Sequence, residues 1–140
     1  MTSIMTDYRN EFKHACSFQE SMDVLAEVTS TFGFTQVLYA YLPVPPRLPD
    51  GEWMPLKLNV RNFPTGWYNG WKNFEKDDPY YHFCFRGTLP FEWGDVQNCK
   101  NLNAREQDAW KYLSDFGLHR GITTPIHLPG GRFAAISAIV

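Results

Sequence analysis

The sequence predicts an α+β domain in which helices pack on both faces of an antiparallel sheet. Three observations carry that prediction. Two apolar-periodic segments, near Phe18–Phe32 and Ala109–Phe116, open on helix-capping signatures. Several short runs rich in β-branched and aromatic residues alternate in strand fashion. The last two runs, Gly121–Leu128 and Phe133–Val140, are joined by Pro129-Gly-Gly-Arg132, a hairpin turn signal. At 140 residues one domain, 1–140, is expected, large enough to bury roughly two thirds of the unfolded chain's surface.

Taken in order, residues from about Ile4 to Ala15 read as a first helix. Ser17 and Glu20 form a capping box for a second, along which Phe18, Met22, Leu25, Val28 and Phe32 recur at helical spacing until Gly33 stops it. Thr35–Leu42 reads as a strand with Tyr39 and Tyr41 on one face and Leu38, Ala40 and Leu42 on the other. Pro43–Pro55 is a proline-rich loop, long for a compact domain. Leu56–Val60 is a second short strand. Pro64 suits the first turn of a helix that carries Trp67 and Trp71. One or two further helical turns start after Pro79, and Leu89–Gly94 looks extended. Asn103 and Glu106 cap a later helix that turns Ala109, Trp110, Leu113 and Phe116 inward and ends at Gly117. The final strand is apolar on both faces, which predicts cover on both sides.

Composition excludes several classes of function. Hydrophobic residues make up 44% and charged residues 20%, a folded composition. A net charge of -2 gives no pull toward nucleic acid or an anionic membrane. The first ten residues are polar and unlike a signal peptide, and no apolar run reaches the ~18 residues of a membrane span. Three cysteines without a CxxC pair suit reduced thiols and a cytoplasmic protein. The pairs His14/Cys16 and His82/Cys84 do not have zinc-site spacing, and no phosphate loop or GxSxG elbow occurs, so neither cofactor nor enzymatic activity is expected.

The chemistry concentrates in the middle of the chain. Eleven aromatic side chains fall between Phe63 and Trp93, a density that a core alone does not need. Phe63, Trp67 and Trp71 are spaced by four and would share one helix face, as core or as the wall of a site. Asp78 precedes Pro79, so its backbone is held extended and its side chain is aimed. It is either a helix N-cap or an acceptor for a ligand's amide N–H; one such charged acceptor is worth roughly 1.5–3 kcal/mol. Ala135 and Ser137 are small where Val or Ile is expected in a strand. They leave room for a largely apolar pocket between sheet and helices.

These residues carry a family resemblance. Phe63-Pro64, Trp67, Trp71, Asp78-Pro79, then Trp93 fifteen residues after Asp78, and the segment DFGLHRGIT (Asp115–Thr123) are similar to the autoinducer-binding domain of LuxR-type quorum-sensing receptors. The resemblance runs from about Ala15 to Val140. It implies an α-β-α sandwich that encloses an N-acyl-homoserine lactone. By resemblance, Trp67 donates to the lactone carbonyl, Asp78 accepts the ligand amide, and Ser137 contacts the acyl carbonyl or nearby chain. Trp71 and Trp93 wall the lactone and chain, and Tyr39, Tyr41 and the strand at Leu58 line an acyl tunnel. It also implies ligand-coupled folding and a homodimer.

Three departures stand out. Phe63 occupies a position where the family usually has Tyr, so Ser137 carries the acyl carbonyl bond alone. The segment from Trp71 to Asp78 is two residues shorter than is typical. The DNA-binding helix-turn-helix that usually follows is not among the 140 residues, so DNA binding by this chain alone is not expected. A different class of function is a signal-independent module that dimerises with a full-length receptor and inhibits it.

Overall fold

The computed structural model describes residues 2–42, 49 and 56–140. Helices α1 (Thr2–His14) and α2 (Phe18–Ser30) precede strands β1 (Gln36–Leu42) and β2 (Lys57–Arg61). Next come α3 (Trp67–Trp71), α4 (Pro79–Phe83), the two-residue strand β3 (Phe91–Glu92), α5 (Trp93–Gln97) and α6 (Ala104–Asp115). The hairpin β4 (Gly121–His127) and β5 (Phe133–Ile139) is last. The sheet runs β2-β1-β5-β4-β3, with every neighbouring pair antiparallel. The expected loop Pro43–Pro55 lies outside the described residues, apart from residue 49.

The capping signatures act as local chemistry dictates. Asn103 accepts from the Glu106 amide at 2.8 Å, and the Glu106 carboxylate accepts from the Asn103 amide at 3.2 Å. Ser17 Oγ accepts from the Glu20 amide at 3.1 Å, but Glu20 reaches back to the amide of Cys16 instead of Ser17. Each such cap is worth about 1 kcal/mol. Gly117, at φ +79°, ends α6 in the left-handed region.

Several expectations shift. The helix at Trp67 starts three residues after Pro64, because Gly66 at φ +84° breaks helical continuity and becomes its N-cap. Phe63 therefore precedes that helix. Strand β3 is only two residues long: Phe91 and Glu92 pair with Thr123 and Ile122, β4 begins at Gly121, and Trp93 turns into α5. Along α2 only Met22 is fully buried. Phe18 sits at the first turn and is 47% exposed; Phe32 lies past the last turn and is 66% exposed.

Register decides which side chains meet. Leu38, Ala40 and Leu42 stand opposite Ser137, Ala135 and Phe133, and Thr123 stands opposite Ser137. These form one sheet face, which α3, α4, α5 and α6 cover with two apolar clusters. Trp67, Trp71, Tyr80, Trp93, Leu113 and Leu118 build one; Leu42, Tyr81, Cys84, Phe133 and Ala135 build the other. The aromatic density between Phe63 and Trp93 is thus largely this covering layer. The second face carries Tyr39 and Tyr41, opposite Ile136 and Ala134. α2 lies over its β1–β2 side, through the Phe18–Tyr39 ring contact (4.9 Å) and the Arg61–Asp23 ion pair (3.0 Å). Cover on both sides of β5 is only partial: Ala134 is buried, but Ile136 and Ala138 are half-buried, because α2 packs over β1 and β2.

Candidate functional site

A cavity of about 60 Å³ lies between the first sheet face and helices α3–α5. Leu38, Ala40, Ala135 and Ser137 form its sheet side, and the small residues at 40, 135 and 137 create the space. Trp67, Trp71, Asp78 and Trp93 close it from above.

Asp78 is fixed by the chain on both sides of it. Pre-proline sterics hold it extended, at φ -68° and ψ 112°. Its Oδ1 accepts from the Tyr80 amide at 2.9 Å and the Tyr81 amide at 3.4 Å, so it is the N-cap of α4. Its Oδ2 accepts from Trp71 Nε1 at 3.3 Å, a long bond. Capping and facing a cavity are therefore not alternatives here: one oxygen does each. Burial pushes the Asp78 carboxyl above the usual carboxylate range, against the lowering effect of those three donors.

Trp67 stacks on Trp71 at 5.4 Å and meets Phe63 edge-on at 4.7 Å. Its backbone carbonyl accepts from Tyr112 Oη at 2.7 Å, which ties α3 to α6. Its indole N–H is buried and has no hydrogen-bond partner among the described residues. Leaving a buried donor unpaired costs roughly 1–3 kcal/mol. On the opposite wall Trp93 stacks on Tyr80 at 4.2 Å and donates to Thr123 Oγ1 at 2.8 Å; Thr123 and Ser137 hydroxyls are 2.7 Å apart.

The structure thus brings Phe63, Trp67, Trp71, Asp78, Trp93 and Ser137 to one cavity. Tyr39 and Tyr41 do not join them. Strand alternation points both to the second sheet face, and Leu38 and Ala40 take the places on the cavity face that were expected of the tyrosines. Leu58 stands opposite Ala40 and lines an adjoining open groove of about 540 Å³, with Val60 and Tyr68. Phe63 and Trp67 line both spaces and form the wall between them.

Sequence reasoning missed Thr123, Tyr80, Tyr81 and Cys84. Thr123 was within reach: counting back from the Pro-Gly-Gly turn pairs it with Ser137. Cys84 had no signal beyond its aromatic neighbourhood. Its thiol lies 3.2 Å from the Tyr80 carbonyl, and burial, with Asp78 nearby, pushes it up to about 12. It is a small wall residue and no nucleophile at neutral pH. Among the described residues no group of three metal-ligating side chains comes together, and no helix is long and apolar enough to cross a membrane.

The comparisons with known proteins bear on the fold and the family. Residues 17–140 match the model of the autoinducer binding domain family. The transcriptional activator BjaR1 of Bradyrhizobium diazoefficiens is 28% identical over 84% of this chain and 48% of its own length. The transcriptional activator TraR of Rhizobium radiobacter is 30% identical over 76% of this chain and 42% of its own. The chain spans about half the length of these relatives. Among solved structures, the N-acylhomoserine lactone dependent LuxR family factor CepR2 of Burkholderia cenocepacia shares the fold at TM-score 0.78, with 15% identity, covering 99% of this chain and 77% of that one. Escherichia coli SdiA in complex with octanoyl-rac-glycerol matches at 0.72, with 18% identity, covering 97% of this chain and 54% of that one. With the family model matched over nearly the whole chain, the protein belongs to the autoinducer binding domain family.

Proposed function

We propose that this domain is a sensor for an N-acyl-homoserine lactone or a related acyl or aryl amide. The observation that carries the reading is the buried indole N–H of Trp67, unpartnered among the described residues, in the same apolar cavity as the buried carboxylate of Asp78. A ligand carbonyl satisfies the first. A ligand amide N–H matches the second, at the oxygen where Trp71 makes only a long bond. Ser137 supplies a hydroxyl for the acyl carbonyl. CepR2, of the same fold, is by its description dependent on an N-acylhomoserine lactone.

The cavity adjoins the groove that Leu58 lines, and a long acyl chain would reach it by displacing the shared wall of Phe63 and Trp67. A ligand held there stabilises only the folded state, by about 2.7 kcal/mol at a hundredfold excess over Kd. In the cytoplasm the output would be homodimerisation and transcriptional control through a DNA-binding domain outside these residues.

The test is the melting temperature of the domain with C4 to C12 acyl-homoserine lactones and with octanoyl glycerol, for the wild type, Trp67→Phe and Asp78→Asn. Octanoyl glycerol has an ester carbonyl but no amide N–H. The sensor reading expects a lactone-dependent gain that both variants lose. A gain from octanoyl glycerol that survives Asp78→Asn would assign the site to acyl esters instead.

A second reading rests on the same cavity. Both Asp78 oxygens already have donors, and little space is enclosed. A signal-independent module that dimerises with and inhibits a full-length receptor needs no more than that. Equal stability with and without every lactone favours it.

A further inference from the structure

We infer that Trp93 and Thr123 are positioning residues that present the Ser137 hydroxyl to the cavity as a donor, so that the site takes a carbonyl oxygen there. The inference rests on the sensor reading above and deepens it. An indole N–H can only donate. The 2.8 Å bond from Trp93 Nε1 therefore makes Thr123 Oγ1 an acceptor. Thr123 is 2% exposed and Ser137 5%, so bulk water does not serve either hydroxyl.

The Thr123 proton needs an acceptor, and Ser137 Oγ lies 2.7 Å away. The reverse polarity would aim two donors at Thr123 Oγ1 and break the head-to-tail chain from Trp93 through Thr123 to Ser137, in which each hydrogen bond polarises and strengthens the next. With Thr123 donating, Ser137 keeps one free O–H. Its same-face neighbours are Ala135 and Ile139 along the strand and Leu38 across it, and their side chains offer no acceptor. The remaining direction is the cavity, which Ser137 lines. The relay also explains why a Phe is tolerated at position 63: a donor for the acyl carbonyl comes from the sheet instead of the aromatic wall. It makes Trp93 a polar anchor as well as the ring that stacks on Tyr80.

The experiment measures the Kd of N-hexanoyl-homoserine lactone by calorimetry, with the ligand-free unfolding midpoint of each variant as control. Thr123→Val and Ser137→Ala are each expected to weaken binding about five- to tenfold, the value of one hydrogen bond. The double variant should lose no more than either single one, and Thr123→Ser should restore wild-type affinity. In ligand-free protein, Thr123→Val should shift the Trp93 indole N–H resonance and Thr123→Ser should leave it in place. Losses that multiply in the double variant, or wild-type affinity in Thr123→Val, overturn the relay. If the wild type binds no lactone, the sensor reading fails separately. The relay is then judged on the ligand-free spectrum, where an indole signal unmoved by Thr123→Val overturns it.

Discussion

Trp71 donates its indole N–H to Asp78 Oδ2 at 3.3 Å, while Asp78 Oδ1 caps α4 through the amides of Tyr80 and Tyr81. The carboxylate that faces the cavity is thus also the start of a helix that packs against α5 and α6. The cavity wall and a helix start share one side chain. Asp78→Asn keeps a good N-cap but turns an amide N–H toward the Trp71 N–H, and should cost about 1 kcal/mol of ligand-free stability. Asp78→Ala loses the cap and strands all three donors, and should cost about 2–4 kcal/mol. Adding Trp71→Phe to Asp78→Asn should remove the clash, so the double variant is more stable than the two single losses sum to. Urea unfolding of the wild type, Asp78→Asn, Trp71→Phe and their double variant measures the coupling; strict additivity would mean that the Trp71 bond contributes nothing.

The raised pKa of Asp78 sets the sign of a pH effect. Burial lifts the folded-state value above the ordinary 3.8. The protonated form is therefore favoured in the folded state. The contribution is fully present below the unfolded value and is lost as pH rises through the folded one. Relative to Asp78→Asn, the ligand-free wild type should gain stability as pH is lowered from neutral toward 4. Lactone binding should move the opposite way, since only the carboxylate accepts from both the cap amides and a ligand N–H. Melting curves of both proteins from pH 7 to 4, with and without lactone, test both signs. A lactone-induced gain that grows on acidification would remove Asp78 from the recognition site.

Gly70 is a packing requirement that neither propensity nor pattern reveals. A Cβ there would collide with Tyr112 Oη and lie 2.7 Å from its ring carbon Cζ. That hydroxyl donates to the Trp67 carbonyl at 2.7 Å, and the ring stacks on Phe74 at 4.9 Å. In an unconstrained helix Gly→Ala gains about 1 kcal/mol. Here Gly70→Ala must push Tyr112 away and break its bond, at roughly 1–3 kcal/mol for overpacking plus about 1 for the bond. A net loss of about 1–3 kcal/mol is expected. Removing the ring in Gly70→Ala/Tyr112→Leu should recover part of it. A stabilised single variant would show that α3 and α6 are not held together by this contact.

The fold was legible where local chemistry decides it. Asn103 and Glu106 announced α6, the Pro-Gly-Gly turn set the β4–β5 register, and Asp78-Pro79 fixed both a helix start and a side-chain direction. What depends on which face a strand turns inward was not legible. Tyr39 and Tyr41 form as good an alternating set as Leu38 and Ala40, and only the pairing with Ala135 and Ser137 decides between them. The helix expected from Pro64 failed for a related reason. Gly66 looks neutral in sequence, yet its left-handed backbone delays the helix to Trp67 and leaves Phe63 as a separate wall.

Phe63 is the position where the cavity's polarity can be tested most directly. It is half-buried, lines both the cavity and the groove beside it, and contacts Trp67 edge-on. Phe63→Tyr adds a hydroxyl to that wall. Without ligand it has no obvious partner and should cost about 1–2 kcal/mol. With N-hexanoyl-homoserine lactone it supplies a second donor to the acyl carbonyl, so affinity should rise about five- to tenfold. The same donor should shrink the loss caused by Ser137→Ala, because the two hydroxyls then serve one oxygen. Calorimetry on Phe63→Tyr, Ser137→Ala and the double variant reads this compensation. If Phe63→Tyr changes neither stability nor affinity, its new hydroxyl points into the open groove. Residue 63 is then part of the wall that moves and not part of the surface that recognises the ligand.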